Sequence, residues 1–266
     1  MNNNPIGIFD SGIGGISVLI EAIKQLPNED FIYFCDQRNI PYGGKKPKEL
    51  KRYIDDAIGF LLEKKVKAIV LACNTATSIA AEDLREKYPT KIIIGMEPAI
   101  KPALEKNKSG KIIVLATPVT LDQKKFWDLK NKIDKEGEVI ILPLDELAGM
   151  IDNALMNEGE EEQYLEIIKK YLENAFKKFN LDNVSSVVLG CTHYIFIKNI
   201  LSEIFPSKTE IIDGNKGTVN NLKKTLSQKG ILNEKKEEGK IRFFTSDEKL
   251  IEPDIVFKKI LRKKIN

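Results

Sequence analysis

Cysteine and histidine are scarce in this sequence. It contains three cysteines and one histidine among 266 residues, and no two cysteines have the Cys-x-x-Cys spacing. An odd, low number of cysteines without that spacing favours neither a disulfide framework nor a zinc site. A single imidazole also leaves few nitrogen ligands for other metals. We therefore expect a protein that binds no metal.

A surplus of one charge and long apolar runs are both missing. The 42 Lys and Arg residues are almost balanced by 39 Asp and Glu residues. Nucleic-acid-binding proteins usually carry a concentrated basic surplus, so we expect a small-molecule ligand and no nucleic acid. The first residues, MNNNPIGIFD, do not resemble a signal peptide, and no apolar run approaches the length of a membrane span. These absences predict a cytoplasmic protein without membrane contact.

Short segments rich in isoleucine and valine alternate with amphipathic segments of helical length, such as Leu50–Lys64 and Glu161–Phe179. The strand-like segments are Ile6–Phe9, Phe31–Phe34, Val66–Leu71, Ile92–Ile94, Ile112–Leu115, Val139–Leu142, Val187–Leu189 and Glu210–Ile212. Because parallel neighbouring strands need a crossover connection, this alternation predicts an α/β fold with mainly parallel sheets.

Two segments of the chain resemble each other. Lys67–Gly95 reads KAIVLACNTATSIAAEDLREKYPTKIIIG, and Ser185–Asp213 reads SSVVLGCTHYIFIKNILSEIFPSKTEIID. Each has an apolar strand, a cysteine, a helix ended by proline and a second strand. Gly7–Gly12 and Val114–Val119 form a further matching pair. The sequence thus predicts two similar α/β domains related by a pseudo-two-fold axis, although any two strand–helix–strand units share some likeness.

The matched cysteines are Cys73 and Cys191. Each follows an apolar strand and begins a predicted helix, where unpaired N–H groups and the helix dipole stabilise a thiolate. Ligands of open α/β sheets bind beyond the carboxyl ends of the strands. We therefore expect both cysteines to face one cleft between the domains. A lone cysteine is more often an inert buried residue, which is how we interpret Cys35.

Two facing thiols suit inversion at a carbon atom. One, as thiolate, removes a proton, and the other, as thiol, returns a proton to the opposite face. Each needs a neighbour that manages its proton. Asp10, at the end of the first strand, and His193, close to Cys191, are the candidates. A helix cap for Asp10 and a backbone hydrogen bond for His193 are the structural alternatives.

The glycine-rich loop DSGIGG at residues 10–15 offers a different interpretation. Glycines before a helix, followed by Asp36 at the end of the next strand, are typical of a dinucleotide-dependent oxidoreductase. Against it, Ser17 replaces the third glycine of that motif, and Asp10 places a negative charge where a pyrophosphate would lie. We favour binding of a substrate carboxylate by the loop N–H groups and Ser11. A protein that only binds its ligand is a more distant alternative.

Four segments of the chain resemble the glutamate racemase family. They are FDSGIGG (Phe9–Gly15), DQRNIPYGG (Asp36–Gly44), ACNTAT (Ala72–Thr77) and GCTHY (Gly190–Tyr194). The resemblance covers nearly the whole chain. It implies a cofactor-independent isomerase that interconverts L- and D-glutamate and supplies D-glutamate for bacterial peptidoglycan. The related aspartate and hydantoin racemases share the two-cysteine plan, but FDSGIGG and IPYGG indicate glutamate.

The resemblance also assigns roles to residues. It implies that Cys73 and Cys191 are the acid/base residues, assisted by Asp10 and His193. In the segment LPLDE it aligns Glu146 with a further assisting glutamate, with Asp145 and Asp152 as alternatives. The implied substrate contacts are Asp10, Ser11, Tyr42, Gly43, Asn74, Thr75, Thr117, Thr192 and His193.

The family fold implies two domains and a cleft between them. The first domain comprises residues 1–97 with 208–266, and the second comprises residues 98–207. The segment EPAIKPAL, with its two prolines, fits a crossover at the first boundary. The oligomeric state stays open, with a homodimer as one option.

Overall fold

The computed structural model describes residues 3–107, 109–157 and 159–247. Its internal contacts divide the chain into two units. Residues up to Met96 and those from Asn215 onward form the first unit, and Glu97–Gly214 form the second. The first unit is therefore built from both parts of the chain that flank the second.

The described residues form two parallel sheets with helical connections. The strands are β1 (Ile6–Asp10), β2 (Phe31–Cys35), β3 (Ala68–Leu71), β4 (Ile92–Gly95), β5 (Lys111–Ala116), β6 (Val139–Pro143), β7 (Val184–Leu189), β8 (Glu210–Asp213) and β9 (Ile241–Thr245). The helices are α1 (Ile16–Gln25), α2 (Pro47–Glu63), α3 (Asn74–Lys87), α4 (Ile100–Lys106), α5 (Pro118–Leu121), α6 (Lys124–Ile133), α7 (Leu147–Met156), α8 (Glu161–Phe176), α9 (Lys198–Ile204) and α10 (Asn215–Gln228). Short 3-10 helices lie at Gln37–Asn39, Leu181–Asn183 and Thr192–Ile197. The predicted α/β class with parallel sheets is confirmed.

The two sheets share one strand order. The first sheet runs β4-β3-β1-β2-β9, and the second runs β6-β5-β7-β8. If β5 to β8 are matched in turn with β1 to β4, the second sheet repeats the first four strands of the other in the same order. All the pairings in both sheets are parallel. This agreement matches the internal resemblance of the sequence, while the pseudo-two-fold relation of the units stays a prediction.

The second domain boundary differs from the one expected after residue 207. Strand β8 pairs in parallel with β7, with Val187 opposite Ile211 and Leu189 opposite Asp213. The short connection through α9 brings the chain back beside β7, so the strand completes the second sheet. The second unit accordingly ends at Gly214.

Helix α2 shows how the sequence sets local structure. Pro47 occupies its first turn, where the missing N–H costs nothing and the fixed φ suits a helix. Leu50, Ile54, Ile58 and Leu61 recur at helical spacing and are fully buried. This apolar stripe covers the sheet of the first unit.

A buried ion pair joins the residues that precede β3 and β2, and hydrogen bonds from both partners reach the segment that leads into β9. Lys67 Nζ lies 2.6 Å from Glu29 Oε2, and both side chains are almost completely buried. Lys67 Nζ also donates to the Ile231 carbonyl at 2.8 Å, and Glu29 Oε1 accepts from the Asn233 N–H at 2.8 Å. The pair therefore fastens the late segment of the chain to the first sheet.

None of the helices in the described residues combines the length and apolarity needed to span a membrane.

Candidate active site

Cys73 lies at the start of α3, directly after β3. Its Sγ accepts from the Ala76 N–H at 3.4 Å, so the side chain caps the helix, and only 6% of the residue is exposed. Ser11 Oγ lies 3.5 Å from the same sulfur. Helix N–H groups and a hydroxyl both favour the thiolate form of a cysteine. The predicted helix-start position of Cys73 is confirmed.

Asp10 is the last residue of β1 and is fully buried, and the loop that follows β1 covers it. Its Oδ1 accepts from the Gly12 N–H at 3.0 Å, and its carbonyl accepts from the Asp36 N–H at 3.0 Å. A Cβ atom on Gly15 would lie 2.5 Å from Asp10 Cβ, so a side chain there would displace the carboxylate. The loop therefore closes tightly around Asp10.

This geometry bears on the dinucleotide interpretation of the loop. The Gly12 N–H points at the Asp10 carboxylate rather than at open space. Ser17 stands where the dinucleotide motif has its third glycine. Its Oγ donates to the Gly14 carbonyl at 2.9 Å, so the hydroxyl makes a structural hydrogen bond within the chain. A pyrophosphate would meet a buried negative charge here. The contacts disfavour an oxidoreductase.

Tyr42 belongs to the loop after β2 and is also buried. Its hydroxyl donates to Asp36 Oδ2 at 2.7 Å, and Asn39 Nδ2 donates to the same carboxylate. Burial raises the pKa of Asp36 despite these hydrogen bonds. Burial, Asp36 and the nearby Cys73 and Asp10 all raise the pKa of Tyr42. The loop also carries Gly43. Tyr42 lies within electrostatic reach of Cys73 and Asp10, the two candidate acid/base groups of the first unit.

Asn74 and Thr75 form the first turn of α3, and both are 4% exposed. The Asn74 amide oxygen and nitrogen are buried, and neither has a hydrogen-bond partner among the described residues. An unsatisfied buried polar group costs roughly 1–3 kcal/mol. A side chain in this condition beside Cys73 is suited to binding a polar ligand.

Cys191 follows β7, but its surroundings differ from those of Cys73. It precedes the 3-10 helix Thr192–Ile197 rather than an α-helix, and its side chain makes no capping hydrogen bond. The predicted equivalence of the two settings is wrong in this respect. Its Sγ instead lies 3.7 Å from His193 Nδ1. The neighbour of this sulfur is therefore an imidazole rather than a helix N–H group.

His193 contacts a carboxylate on its other side. Its Nε2 lies 2.9 Å from Asp152 Oδ1, and both side chains are nearly buried. Burial opposes a charge on the imidazole, but Asp152 and Cys191 outweigh it and raise the pKa of His193 well above its usual value. The second unit thus contains a carboxylate (Asp152), an imidazole (His193) and a thiol (Cys191), with the imidazole between the other two groups. A charged imidazole held in this way stabilises a neighbouring thiolate.

The carboxylate at His193 is Asp152, not the Glu146 that the resemblance favours. Asp152 lies inside α7 and is 7% exposed, whereas Glu146 is an exposed residue at the N-terminal cap of α7. The sequence does hold a signal for Asp152. It is the one acid within LAGMIDNALM, a mainly apolar stretch, where a buried carboxylate needs a partner.

Two threonines lie at carboxyl ends of strands in the second unit. Thr117 follows β5 at the N-terminal cap position of α5, and its hydroxyl is 2.9 Å from Thr120 Oγ1. Thr192 directly follows Cys191, and both Thr117 and Thr192 are at most 6% exposed. The structure therefore gathers Asp10, Ser11, Tyr42, Gly43, Cys73, Asn74 and Thr75 in the first unit, and Thr117, Asp152, Cys191, Thr192 and His193 in the second.

Metal-binding clusters are absent among the residues that the structure describes. No group of three or more His, Cys, Asp and Glu side chains there has the arrangement of a metal site.

Comparison with known proteins gives a consistent result. The sequence model of the Asp/Glu/Hydantoin racemase family matches residues 16–222. A glutamate racemase of Clostridium acetobutylicum is 46% identical over 254 residues, which is 95% of this chain and 96% of that protein. A glutamate racemase structure from Bacillus anthracis aligns with a TM-score of 0.83 at 28% identity, covering 100% of this chain and 95% of the other. A glutamate racemase of Francisella tularensis in complex with D-glutamate aligns with a TM-score of 0.80 at 29% identity, covering 98% and 95%.

Proposed function

The chain belongs to the Asp/Glu/Hydantoin racemase family, and on that premise we propose that it interconverts L- and D-glutamate with Cys73 and Cys191 as opposed acid/base residues. The protein is an isomerase, and glutamate is the substrate that its relatives indicate. The C. acetobutylicum and B. anthracis proteins are named glutamate racemases, and the F. tularensis structure contains D-glutamate.

One observation carries the two-base proposal. Each unit places a cysteine at the carboxyl end of its sheet and gives that cysteine its own proton-handling neighbours. Cys73 has the Ala76 N–H of α3, with Asp10 in the adjoining loop. Cys191 has His193, which Asp152 supports. A single base would return a proton to the face it came from, whereas two supported thiols suit inversion.

The reaction follows from these contacts. With L-glutamate, the His193 cation first stabilises the Cys191 thiolate. The thiolate then removes the α-proton. The Cys73 thiol then donates its proton to the opposite face of the α-carbon, which gives D-glutamate. With D-glutamate the roles exchange, and Cys73 with Asp10 acts first. General acid–base assistance of this kind contributes about 10²–10⁴-fold to a rate.

Binding of the substrate falls to the polar residues around the cysteines. The unsatisfied Asn74 amide and the hydroxyls of Ser11, Thr75, Thr117 and Thr192 can hydrogen-bond a carboxylate or an ammonium group. We include Tyr42 and Gly43 in the same set. The product, D-glutamate, serves peptidoglycan synthesis, and we place the reaction in the cytoplasm. A homodimer stays a prediction.

The decisive test is racemisation by the purified chain without any cofactor. The chain is first dialysed exhaustively against EDTA. Circular dichroism should then show the ellipticity of L-glutamate, and equally that of D-glutamate, decay to zero. Restoration of a lost activity by a divalent metal, by pyridoxal phosphate or by a nicotinamide nucleotide would contradict the cofactor-free mechanism. Turnover of aspartate but not glutamate would leave the chemistry intact and overturn the substrate.

A further inference from the structure

Two buried tyrosines, one in each unit, hydrogen-bond to a loop beside a proposed acid/base group. Tyr33 lies on β2 and is 1% exposed, and its hydroxyl donates to the Gly12 carbonyl at 2.7 Å. Tyr194 is fully buried, and its hydroxyl donates to the Leu144 carbonyl at 2.8 Å. The proposed reaction uses neither hydroxyl directly.

In the first unit, Gly12 is held on both sides. Its carbonyl accepts from Tyr33, and its N–H donates to Asp10 Oδ1 at 3.0 Å. Tyr33 pairs with Ile8 on the neighbouring strand, so the rigid sheet fixes the position of the phenol. The hydroxyl therefore restrains Gly12, whose N–H donates to the Asp10 carboxylate.

In the second unit, the hydroxyl joins the two segments that carry the imidazole and its carboxylate. Tyr194 directly follows His193 in the 3-10 helix Thr192–Ile197. Leu144 lies just before α7, and α7 carries Asp152. Leu144, Tyr194 and the α7 residue Ile151 belong to one buried core. Burial, with Cys191 nearby, raises the pKa of Tyr194 well above its usual value, so the hydroxyl keeps its proton as a donor.

We propose that Tyr33 and Tyr194 are positioning residues, each of which aligns the acid/base group of its own unit. Tyr33 aligns Asp10 for proton transfer at Cys73, and Tyr194 aligns His193 with Asp152 for proton transfer at Cys191. The inference rests on the proposed two-base function. Its consequence is an asymmetry, because each hydroxyl affects the proton transfer of one enantiomer.

The test replaces each tyrosine by phenylalanine. Tyr33→Phe and Tyr194→Phe are matched controls, because each removes one buried hydroxyl that donates to a loop carbonyl. The equilibrium constant of a racemisation is one, so kcat/KM must be equal in both directions. The primary deuterium isotope effect on kcat/KM, measured with each α-deuterated enantiomer, instead reports which proton transfer limits the rate.

The two variants should give mirror-image isotope effects. Tyr194→Phe should slow transfer at Cys191, so the isotope effect should rise with α-deuterated L-glutamate and fall towards one with α-deuterated D-glutamate. Tyr33→Phe should give the reverse. Changes of the same size and direction for both enantiomers, in either variant, would contradict a positioning role.

A second readout needs no substrate. The chain has one histidine, so the imidazole signals in an NMR titration belong to His193. Tyr194→Phe should shift the pKa of His193 towards its usual value, and Tyr33→Phe should leave it unchanged. An unchanged His193 pKa in Tyr194→Phe would overturn the proposal for Tyr194. An inactive wild-type chain whose His193 responds as expected would instead overturn the proposed function.

Loss of stability is separated from positioning by a third variant. Thr209 Oγ1 donates to the Val184 carbonyl at 2.9 Å in the same unit, at the amino end of β7. Thr209→Val should lower the stability yet leave both isotope effects at their wild-type values, and a skewed pair of isotope effects there would contradict the inference. If one tyrosine variant fails to fold, the other tests the proposal for its own unit.

Discussion

His193 Nε2 lies 2.9 Å from Asp152 Oδ1, and the other ring nitrogen faces the Cys191 sulfur. The buried carboxylate therefore favours the cationic form of the imidazole, and that cation faces the Cys191 sulfur. Removing the Asp152 carboxylate leaves the imidazole in place but lowers its affinity for a proton. This relationship separates Asp152 from the other acidic residues near α7.

Asp152→Asn should lower the pKa of His193, because burial then acts against the cation without an opposing carboxylate. In the wild type, the part of the activity that depends on the His193 cation is lost as the pH rises through the raised pKa. In the variant this loss should occur at a lower pH. NMR titration of the single histidine measures the shift. Racemisation should fall by about 10²-fold, the lower end of the range for an assisting acid or base.

Glu146→Gln is the matched control for that change. Glu146 is an exposed residue at the N-terminal cap of the same helix, and an exposed substitution usually changes stability by less than about 0.5 kcal/mol. Its His193 titration and its rate should therefore match the wild type. A large loss in Glu146→Gln together with a normal Asp152→Asn would restore Glu146 as the assisting residue.

Cys73→Ser and Cys191→Ser should each abolish net racemisation in both directions, because the acid of one direction is the base of the other. The two variants should differ in exchange. Cys73→Ser should leave Cys191 able to exchange the α-proton of L-glutamate in deuterated water, and Cys191→Ser should do so with D-glutamate. Proton NMR of the α-position follows both. Loss of exchange for the same enantiomer in both variants would be incompatible with two opposed bases.

The sequence predicted the buried strands from their continuous apolar runs and missed β9, which is only half-buried. Val187–Leu189 lies in the buried part of β7, and a parallel strand covered on both faces has an apolar run. Strand β9 (Ile241–Thr245) lies at the edge, includes an exposed Arg242 and is only half-buried elsewhere. Arg242 interrupts its apolar run, so the pairing of β9 with β2 became visible only in the sheet.

The candidate site divides in the same way. Cys73 was predictable because the strand, the cysteine and the helix follow one another in the chain. The contact between Asp152 and His193 depends on how α7 packs on the 3-10 helix Thr192–Ile197, and local sequence does not encode that packing. The resemblance placed the assisting acid at Glu146, at the start of α7, whereas the tertiary contact lies almost two turns further along the helix.

Ser11→Ala and Tyr42→Phe should mainly raise KM, since we expect both hydroxyls to act on the bound substrate in ground and transition states alike. Ser11 is the sharper case, because its hydroxyl is also 3.5 Å from Cys73 Sγ. Steady-state kinetics with both enantiomers would measure the split. A fall in kcat at saturating substrate without a change in KM would indicate that Ser11 acts on the thiol rather than on glutamate.

Lys67→Met should destabilise the fold by roughly 3–5 kcal/mol, because it leaves the Glu29 carboxylate buried without its cation. Lys51→Met is the control, since the Lys51–Asp83 pair is about half exposed and such pairs contribute roughly 0–1 kcal/mol. Urea unfolding followed by circular dichroism compares the two. Similar losses in both variants would mean that the buried pair adds nothing beyond a surface contact.

The parallel pairing of β9 with β2 has a consequence for biosynthesis. Strand β2 leaves the ribosome early, whereas β9 follows only after the whole of Glu97–Gly214. During translation the second sheet can therefore close while the first still has an open edge along Phe31–Cys35. An unpaired apolar edge is a template for association with other nascent chains. The segment around Asn233 and Gly239, which binds to Glu29 and Pro27, would guide β9 to that edge and end the exposure.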